Sequence, residues 1–493
     1  MQWKNLFARS KQPQPEKRNS RWNRNRKIIN SDVRMFEKQL NERSRGIMDR
    51  LNDITGVMFG GINRQIRATH QRTIEHCRQL SIDNPFGARY VQMTVDNVVG
   101  TGIFPRTQMT LPTGKLDKRT NLVLDKMFYR WSENKERVSL NGQFDFYEFC
   151  QQVERQRIID GEVFIVMHRE DGDLKLEIIP AERCDITLDR KEPDGIIIKG
   201  GIGYDERTRK PVSYWFRRHD LFTDTLTYEY DEYDAEEVIH YFDPKDASQL
   251  RGISDFAPVI KTISQLDSYI YTSIVQARVS ASSMAFITQA DKSGEALDDE
   301  EEENELIAEY APGTINMLNP GQDIKSVQAN TQANEFGGWV DKIQATIAMG
   351  LGCFKQALTG DISGVNYSSA RFGDLMQNAR FASLQRRLIN TVLTRVYREF
   401  LENLVDEDLI DIRVNKAMFD TSWIKPEVKN VDPEKEIKAK VLMIENGLTS
   451  RRAVIEEMGR DPDKVDLEIS EDSFSPVPKN PALNTPVDVP QKE

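Results

Sequence analysis

The sequence predicts an α+β protein, mainly helical, with a block of short strands set among long amphipathic helices. Three observations carry that reading. Apolar residues recur at three- and four-residue spacing over 118–131, 254–287 and 336–404, the period of helices with one buried face. Between 161 and 242 the pattern breaks into short β-rich runs parted by turn residues. At 350–371 the segment GLGCFKQALTGDISGVNYSSAR then separates two helical patterns. A structureless connection of roughly 15 residues between helices is unusual and is either functional or disordered.

Taken in order, the chain opens on a basic arm. Up to Arg50 there are 14 Lys and Arg against 5 Asp and Glu, a net of +9, which leaves −20 for the remainder of a chain of net charge −11. Such asymmetry fits a contact with nucleic acid or an acidic partner, and equally a solvated tail; residues 1–30 read as a disordered arm. Ser31–Leu80 is polar and Arg-rich with apolar residues near helical spacing, broken by GVMFGG at 56–61, so two helices are expected. Helices also follow at 88–99, 118–131 and 144–159, the second with Leu122, Leu124, Met127, Phe128 and Trp131 on a buried face.

GEVFIVMHR at 161–169, LKLEIIP at 174–180, GIIIKGGIGYD near 195, PVSYWFRR from 211 and VIHYF at 238–242 are the strand candidates, expected to form a mixed sheet or small barrel. A long helix follows from Ser254 to about Ile287, with an Ala- and Ser-rich end suited to close packing. After the acidic run LDDEEEENELIAEY at 297–310, APGTINMLNPGQDIKSV holds two short strand candidates bracketed by Pro-Gly turns.

Trp339, Ile343, Ile347 and Leu351 then form a stripe along a helix over 336–351 that Gly350 and Gly352 end. Beyond the loop, Ser368 or Ser369 is the expected N-cap of a helix reaching about Leu404. Spacing alone leaves two readings of the loop: a surface connection, or a flexible finger on rigid supports. The stretch 417–433 looks irregular, and 434–445 with 450–458 form a helical hairpin, Gly447 closing the first helix and Thr449 or Ser450 capping the second. The tail SPVPKNPALNTPVDVPQ is too rich in proline to pack and reads as disordered.

The 493 residues leave room for two to four structural units at about 150 residues each. Hydrophobic residues are 39% and charged residues 29%, the balance of a soluble protein with much polar surface. No run approaches the ~18 apolar residues that span a bilayer, and the amino terminus lacks a signal-peptide core. Synthesis and retention in a cytoplasm, away from membranes, are therefore expected. Cys77, Cys150, Cys184 and Cys353 form no CxxC pair, so neither a zinc site nor a disulfide framework is signalled. His70, His76 and Cys77 cluster on a helix but read as packing or surface rather than a metal site. There is no GxxxxGK[ST], GxGxxG after a strand, HExxH or GxSxG. Ser368 and Ser369 beside Arg371 read as cap residues rather than nucleophiles, and no catalytic residue, metal or cofactor is assigned.

Several segments together resemble the lambda-like family of portal proteins of tailed double-stranded DNA bacteriophages. VIHYFDPKDASQLRGISDFAPVI at 238–260 looks like that family's strand ending in His, followed by a Gln-x-Arg-Gly-x-Ser turn into a long helix. AMGLGCFKQALTGDISGVNYSSAR at 348–371 is similar to its Gly-Leu-Gly, Leu-Thr-Gly-Asp and Asn-Tyr-Ser-Ser-Ala-Arg signature. Gly161–Phe164 matches its Gly-Glu-x-Phe strand, NVVGTGIFPR at 97–106 its Val-Gly-x-Gly segment, and GLTSRRAVIEEMGRDPDKV at 447–465 its carboxyl-terminal hairpin. The matches run in order over roughly residues 30–470; the acidic insertion and the proline tail have no counterpart.

The resemblance implies a portal fold and a ring, usually of twelve identical subunits, at one vertex of the procapsid. The wing would comprise 31–252, the stem helices 253–283 and 334–352, the clip 284–333, the tunnel loop 353–367, a bracing helix with a return to the wing 368–433, and the crown 434–470. Double-stranded DNA would pass the loop, with Lys355, Gln356, Asp361, Ile362, Ser363, Val365, Asn366 and Tyr367 facing it. Glu300, Glu301, Glu302 and Glu303 would lie in the clip that docks the large terminase subunit and later the head-tail adaptors. Major capsid and scaffold proteins are further implied partners, with assembly in the host cytoplasm and a final place in the virion. A weakly charged loop and acidic walls suit a conduit, because each Lys or Arg on a phosphate adds affinity and a ring multiplies it. Two other classes stay open: a head-associated enzyme such as a nuclease or maturation protease, and a basic-arm protein that binds nucleic acid or scaffold.

Overall fold

A computed structural model of the chain describes residues 61–111, 113–170, 172–281, 285–289, 322–326, 333–364, 366–407, 420–426 and 433–472. The expected basic arm, the first of the two helices expected over Ser31–Leu80, Glu300–Glu303, Val365 and the tail from residue 473 lie outside the described residues. The chain divides into two compact units, 1–72 with 244–251, and 73–243 with 252–493. In the first unit, helix α1 (Ile62–Asp83) begins where Asn63 bonds another segment of the same unit. Asn63 Nδ2 donates to Ser248 O at 2.7 Å, and its Oδ1 accepts from Leu250 N at 2.8 Å.

The second unit continues with helix α2 (Pro85–Val98), strand β1 (Phe104–Thr107) and helices α3 (Lys118–Ser132), α4 (Lys135–Val138) and α5 (Phe146–Asp160). Their starts follow from side chains that satisfy the free amides of a first turn. Asn84 accepts from Phe86 N and Gly87 N ahead of Pro85, Asp117 accepts from Thr120 N, and Asp145 with Glu148 forms a capping box. Helix α2 thus starts earlier than the apolar spacing predicts, because Pro85 suits a first helical position.

The β-rich block is β2 (Glu162–Glu170), β3 (Asp173–Ile179), β4 (Asp189–Lys191), β5 (Ile196–Lys199), β6 (Ile202–Asp205), β7 (Pro211–Asp220), β8 (Thr225–Asp234) and β9 (Val238–Phe242). These strands make two antiparallel sheets, ordered β3-β2-β9 and β4-β5-β6-β7-β8. The expected mixed sheet or small barrel is corrected accordingly: most links between neighbours in these sheets are too short for the crossover that parallel pairing needs. Strand β8, TLTYEYDEYD, escapes sequence reading because both its faces are largely polar and none of its residues is buried.

Strand β2 is buried along most of its length and serves two cores by alternation. Val163, Ile165 and Met167 join the main core, whereas Phe164 and Val166 join a smaller one with Ile202, Tyr214 and Phe216. In the main core Phe128 meets Trp131, Phe146, Tyr397 and Phe400 with ring centroids 5.2–5.3 Å apart. Edge contacts of this kind add ~0.5–1.5 kcal/mol each to what burial supplies.

Helix α6 covers Ile260–Ala281, shorter at both ends than the expected 254–287. At its start Ser254 Oγ and Asp255 N both donate to Ile158 O, at 3.0 and 3.1 Å, which holds 254–259 in turns. After it, β10 (Ala285–Gln289) pairs antiparallel with β11 (Gln322–Ser326). Helices α7 (Ala333–Leu351), α8 (Lys355–Thr359) and α9 (Tyr367–Leu388) follow. A π-turn (Ile389–Leu393) then leads into α10 (Thr394–Asp406), with no break in the apolar stripe. Within 417–433, expected to be irregular, β12 (Thr421–Ile424) pairs with β1. The chain closes with α11 (Pro433–Glu445), α12 (Arg451–Glu457) capped by Ser450, and α13 (Pro462–Glu471). Among the described residues no helix is long and apolar enough to cross a membrane.

Candidate functional site

The site is a loop on rigid supports, and the supports meet at a buried charge network. Phe146, Phe149, Cys150 and Val153 set the buried stripe of α5, and Glu154 and Arg157 continue it at 0% and 1% exposure. The Arg157 guanidinium donates to Glu154 Oε1 at 2.9 Å and, as a fork, to Asp255 Oδ1 and Oδ2 at 3.2 and 3.0 Å. Tyr241 Oη donates to Glu154 Oε2 at 3.0 Å, and Tyr90 Oη donates to Asp255 Oδ2 at 3.1 Å. From α9, Arg380 Nη2 donates to Tyr90 Oη at 2.9 Å.

Burial pushes the Glu154 carboxyl up and the Tyr90 and Tyr241 phenols well up. Burial by itself would lower Arg157, but the carboxylates of Asp255 and Glu154 reverse the sign and hold it charged. The polar atoms are paired as a buried group requires. Sequence reading missed this network, since charged residues in a helix look like its solvated face. The available signal was their position, in line with Phe146, Cys150 and Val153.

Next to the network lie two motif glycines. A Cβ on Gly252 would stand 2.3 Å from Gly161 O, and Gly161 itself sits at φ +90° with Ile253 C at 2.3 Å from where its Cβ would be. Side chains are excluded on both sides of that crossing. Glu162, also fully buried, accepts from Gly252 N at 2.7 Å and bonds His240 Nε2 at 2.9 Å. The segments Gly161–Phe164, Val238–Phe242 and Gly252–Asp255 are therefore one packing unit.

The loop begins where α7 stops at Leu351, with Gly352 at φ +66° against Arg380 of α9. Gly350, expected to end the helix, lies within it against Val259. The connection is not one open loop: Lys355 and Gln356 belong to α8, whose Leu358 is buried. Phe354 N donates to Gln377 Oε1 at 3.0 Å, and its ring lies where a Cβ on Gly373 would stand. Lys355 forms an ion pair with Asp341 of α7. Among the described residues the open part is 360–364 with Asn366, and Gly360 and Gly364 are at positive φ.

Within it Asp361 Oδ1 accepts from Ser363 Oγ at 2.5 Å and from Ser363 N at 2.9 Å, bonds that lower the pKa of an exposed carboxyl. Ile362, Ser363 and Asn366 are exposed, and Tyr367 is the first residue of α9. The expected caps are corrected. Asn366 is the N-cap, its Oδ1 accepting from Ser369 N and Ser369 Oγ at 2.8 Å each, and Ser368 and Ser369 lie in the first turn. Asparagine ranks with serine at this position, and the one nearer the loop holds the extended backbone a cap needs.

Other chemistry is sparse. His168 bonds Glu177 at 2.9 Å and His219 bonds Asp224 at 3.0 Å, each within its own sheet region. Burial raises the thiols of Cys77 and Cys353 to about 11, which keeps them protonated at neutral pH. Among the described residues no group of His, Cys, Asp and Glu is placed to hold a metal ion.

Arg380 thus ties α9, the helix that follows the loop, to the buried charge network. Comparison with known families is specific: the chain belongs to the lambda family of phage portal proteins, whose model matches residues 49–385. It is 25% identical over 426 residues to a protein of Halomonas phage phiHAP-1 described as a probable portal protein, covering 84% of this chain and 82% of that one. Portal protein B of Escherichia phage lambda is 23% identical over 253 residues, 45% of this chain and 47% of its own length. A chain from the neck of an empty gene transfer agent particle, solved with C6 symmetry, aligns at 14% identity and a TM-score of 0.49, over 80% of this chain and 94% of that one.

Proposed function

We propose that the chain assembles into a closed ring, of twelve subunits in the usual case, at one capsid vertex, and that double-stranded DNA is packaged and ejected through its centre. The observation that carries this reading, beside family membership, is the charge state of the loop. Residues 360–366 hold one carboxylate, one hydroxyl, one amide and two apolar side chains but no Lys or Arg, and Lys355, five residues ahead of them, is held by Asp341. Counterion release from each bound phosphate is what makes DNA stick, so a loop with no Lys or Arg of its own touches DNA and lets it slide. The same logic extends to the −20 net charge beyond residue 50: acidic walls repel phosphates.

In this reading 31–252 is the wing, 253–283 and 334–352 are stem helices around a clip at 284–333, and 353–367 is the tunnel loop. Residues 368–433 brace the loop and return to the wing, and 434–470 form the crown. The loop residues Asp361, Ile362, Ser363, Val365 and Asn366 face DNA, with Lys355, Gln356 and Tyr367 at the loop's roots. Glu300–Glu303 would dock the terminase large subunit and then the head-tail adaptors, while coat and scaffold proteins hold the ring in the virion. No step of this role is catalytic.

Imaging of the purified protein tests the class: rings with a central hole are expected, and particles without one would overturn the reading. Deleting 361–364 tests the loop, with rings expected to persist while packaging or retention of DNA falls. Loss of rings in that deletion would remove the loop from the channel.

A further inference from the structure

A cavity of about 330 Å³ opens between the end of α3, the start of α5 and the segment that leads into β1. Four aromatic side chains line it, Phe104, Tyr129, Phe146 and Tyr147, together with the carboxylates of Glu133 and Asp145 and with no Lys, Arg or His. Its size lies at the lower end of small-ligand sites, which run from about 300 to about 1,000 Å³. Gly102, also in the lining, sits at φ +111°. A Cβ there would stand 2.8 Å from the Phe104 ring and 3.5 Å from that of Tyr147, so the two rings converge on the space the glycine leaves. The Tyr129 ring adjoins that of Phe104, with centroids 6.4 Å apart. The second glycine of the Val-Gly-x-Gly segment thus leaves room at an aromatic wall.

The lining fixes the sign of what the cavity can hold. An aromatic face attracts a cation within ~6 Å of its centre, and Tyr129 already does so within the chain, Lys464 Nζ lying 5.6 Å from its ring centroid. Glu133 accepts from the Tyr129 hydroxyl, which raises that phenol, and Asp145 accepts from Glu148 N at 2.8 Å. Neither carboxylate forms an ion pair among the described residues, and each keeps lone pairs for a ligand. Lys135, which senses Asp145, is held by Glu148 at 2.6 Å. An anion finds no counterpart, because the N-terminus of α5 is already capped by Asp145 and Glu148. We propose that this cavity binds an alkylammonium group, its charge shared by the aromatic faces and the carboxylates of Glu133 and Asp145. A free polyamine and a lysine side chain of a bound protein both carry such a group. No lining residue belongs to the loop, so neither ring assembly nor passage of DNA is needed for binding.

Calorimetric titration of the full-length protein tests the site with choline and with dimethylbutanol, its uncharged carbon isostere. Choline should bind at least tenfold more tightly; equal affinities would overturn the site, because a merely apolar crease takes both alike. Glu133 and Tyr129 are exposed, so Glu133→Gln and Tyr129→Leu should keep the wild-type melting profile while each lowers choline affinity at least threefold. Unchanged affinity in either variant would place binding elsewhere and overturn the proposal. Spermidine and acetyl-lysine methylamide then separate the two sources. Tighter spermidine marks a free polyamine, and tighter lysine amide marks a basic side chain of a protein partner. Binding of none of the three amines would end the proposal. Glu133→Gln should form rings and retain DNA as wild type does, so failure of the cavity leaves the portal reading standing.

Discussion

Arg157 and the segment 360–366 occupy opposite extremes of one structure. The guanidinium is 1% exposed and shared between two carboxylates, which in turn accept from two tyrosines. The loop is satisfied by its own neighbours: Ser363 to Asp361, Ser369 to Asn366. Low dielectric makes the first arrangement strong when complete and costly when broken, whereas local bonds at a surface leave the second free to change without consequence for the core. The difference teaches how the molecule presents a contact element. Orientation is fixed by the buried lock through Arg380 and α9, and adaptability is confined to a few residues.

The largest effect should come from breaking the lock. Asp255→Ala removes one partner of a buried charge, for which a loss of about 3–5 kcal/mol is expected, measured by urea unfolding with subunit concentration held fixed. A smaller loss than 1 kcal/mol would mean that the network is solvated. Gly252→Ala comes next. Its Cβ would meet Gly161 backbone, which yields less readily than a side chain, and overpacking of this kind costs about 1–3 kcal/mol. Recovery of stability on further shortening the loop would show that the two regions are not independent after all.

Sequence reading reached the two regions unequally, for physical reasons. Periodicity found α3 and α7 and the apolar runs of the β3-β2-β9 sheet, because burial writes itself as spacing, but it placed Leu122 and Trp339 on the buried stripes of the two helices, where they are 51% and 58% exposed. It was silent on Glu154 and Arg157, whose types are those of a surface, and on β8, whose faces are polar. The loop was visible as glycine and small polar residues, but α8 inside it was not. Five residues are too few to show a period: the helix stops at Thr359, before Ile362, the apolar residue four beyond its buried anchor Leu358, which stays exposed in the loop. The motifs Gly161–Phe164 and Gly252–Ser254 were recognisable as strings; only the crossing of Gly161 with Gly252 gives their reason.

A third, smaller effect sharpens the boundary between lock and loop. Asn366→Ala should cost about 1 kcal/mol, the usual worth of an N-cap, while Ser368→Ala should stay within about 0.5 kcal/mol, as surface substitutions do. The reverse ranking in thermal melts would return the cap to the serine.

The smallest effect on stability should fall on the pair at the root of the loop, Lys355 with Asp341. Their side chains are 20% and 57% exposed, and a pair so open to solvent contributes about 0–1 kcal/mol. Asp341→Asn should therefore leave melting almost unchanged. Its consequence is functional: the substitution releases a cation at the root of the loop in every subunit, and each phosphate newly engaged steepens the salt dependence of DNA binding by about one counterion. Purified rings carrying Asp341→Asn should retain short duplex DNA at low ionic strength where wild-type rings do not, and should release it as salt is raised. Equal retention by both at every ionic strength would mean that Lys355 does not reach the DNA path. The loop's weak charge would then have to come from its own composition rather than from the helix that restrains its neighbouring lysine.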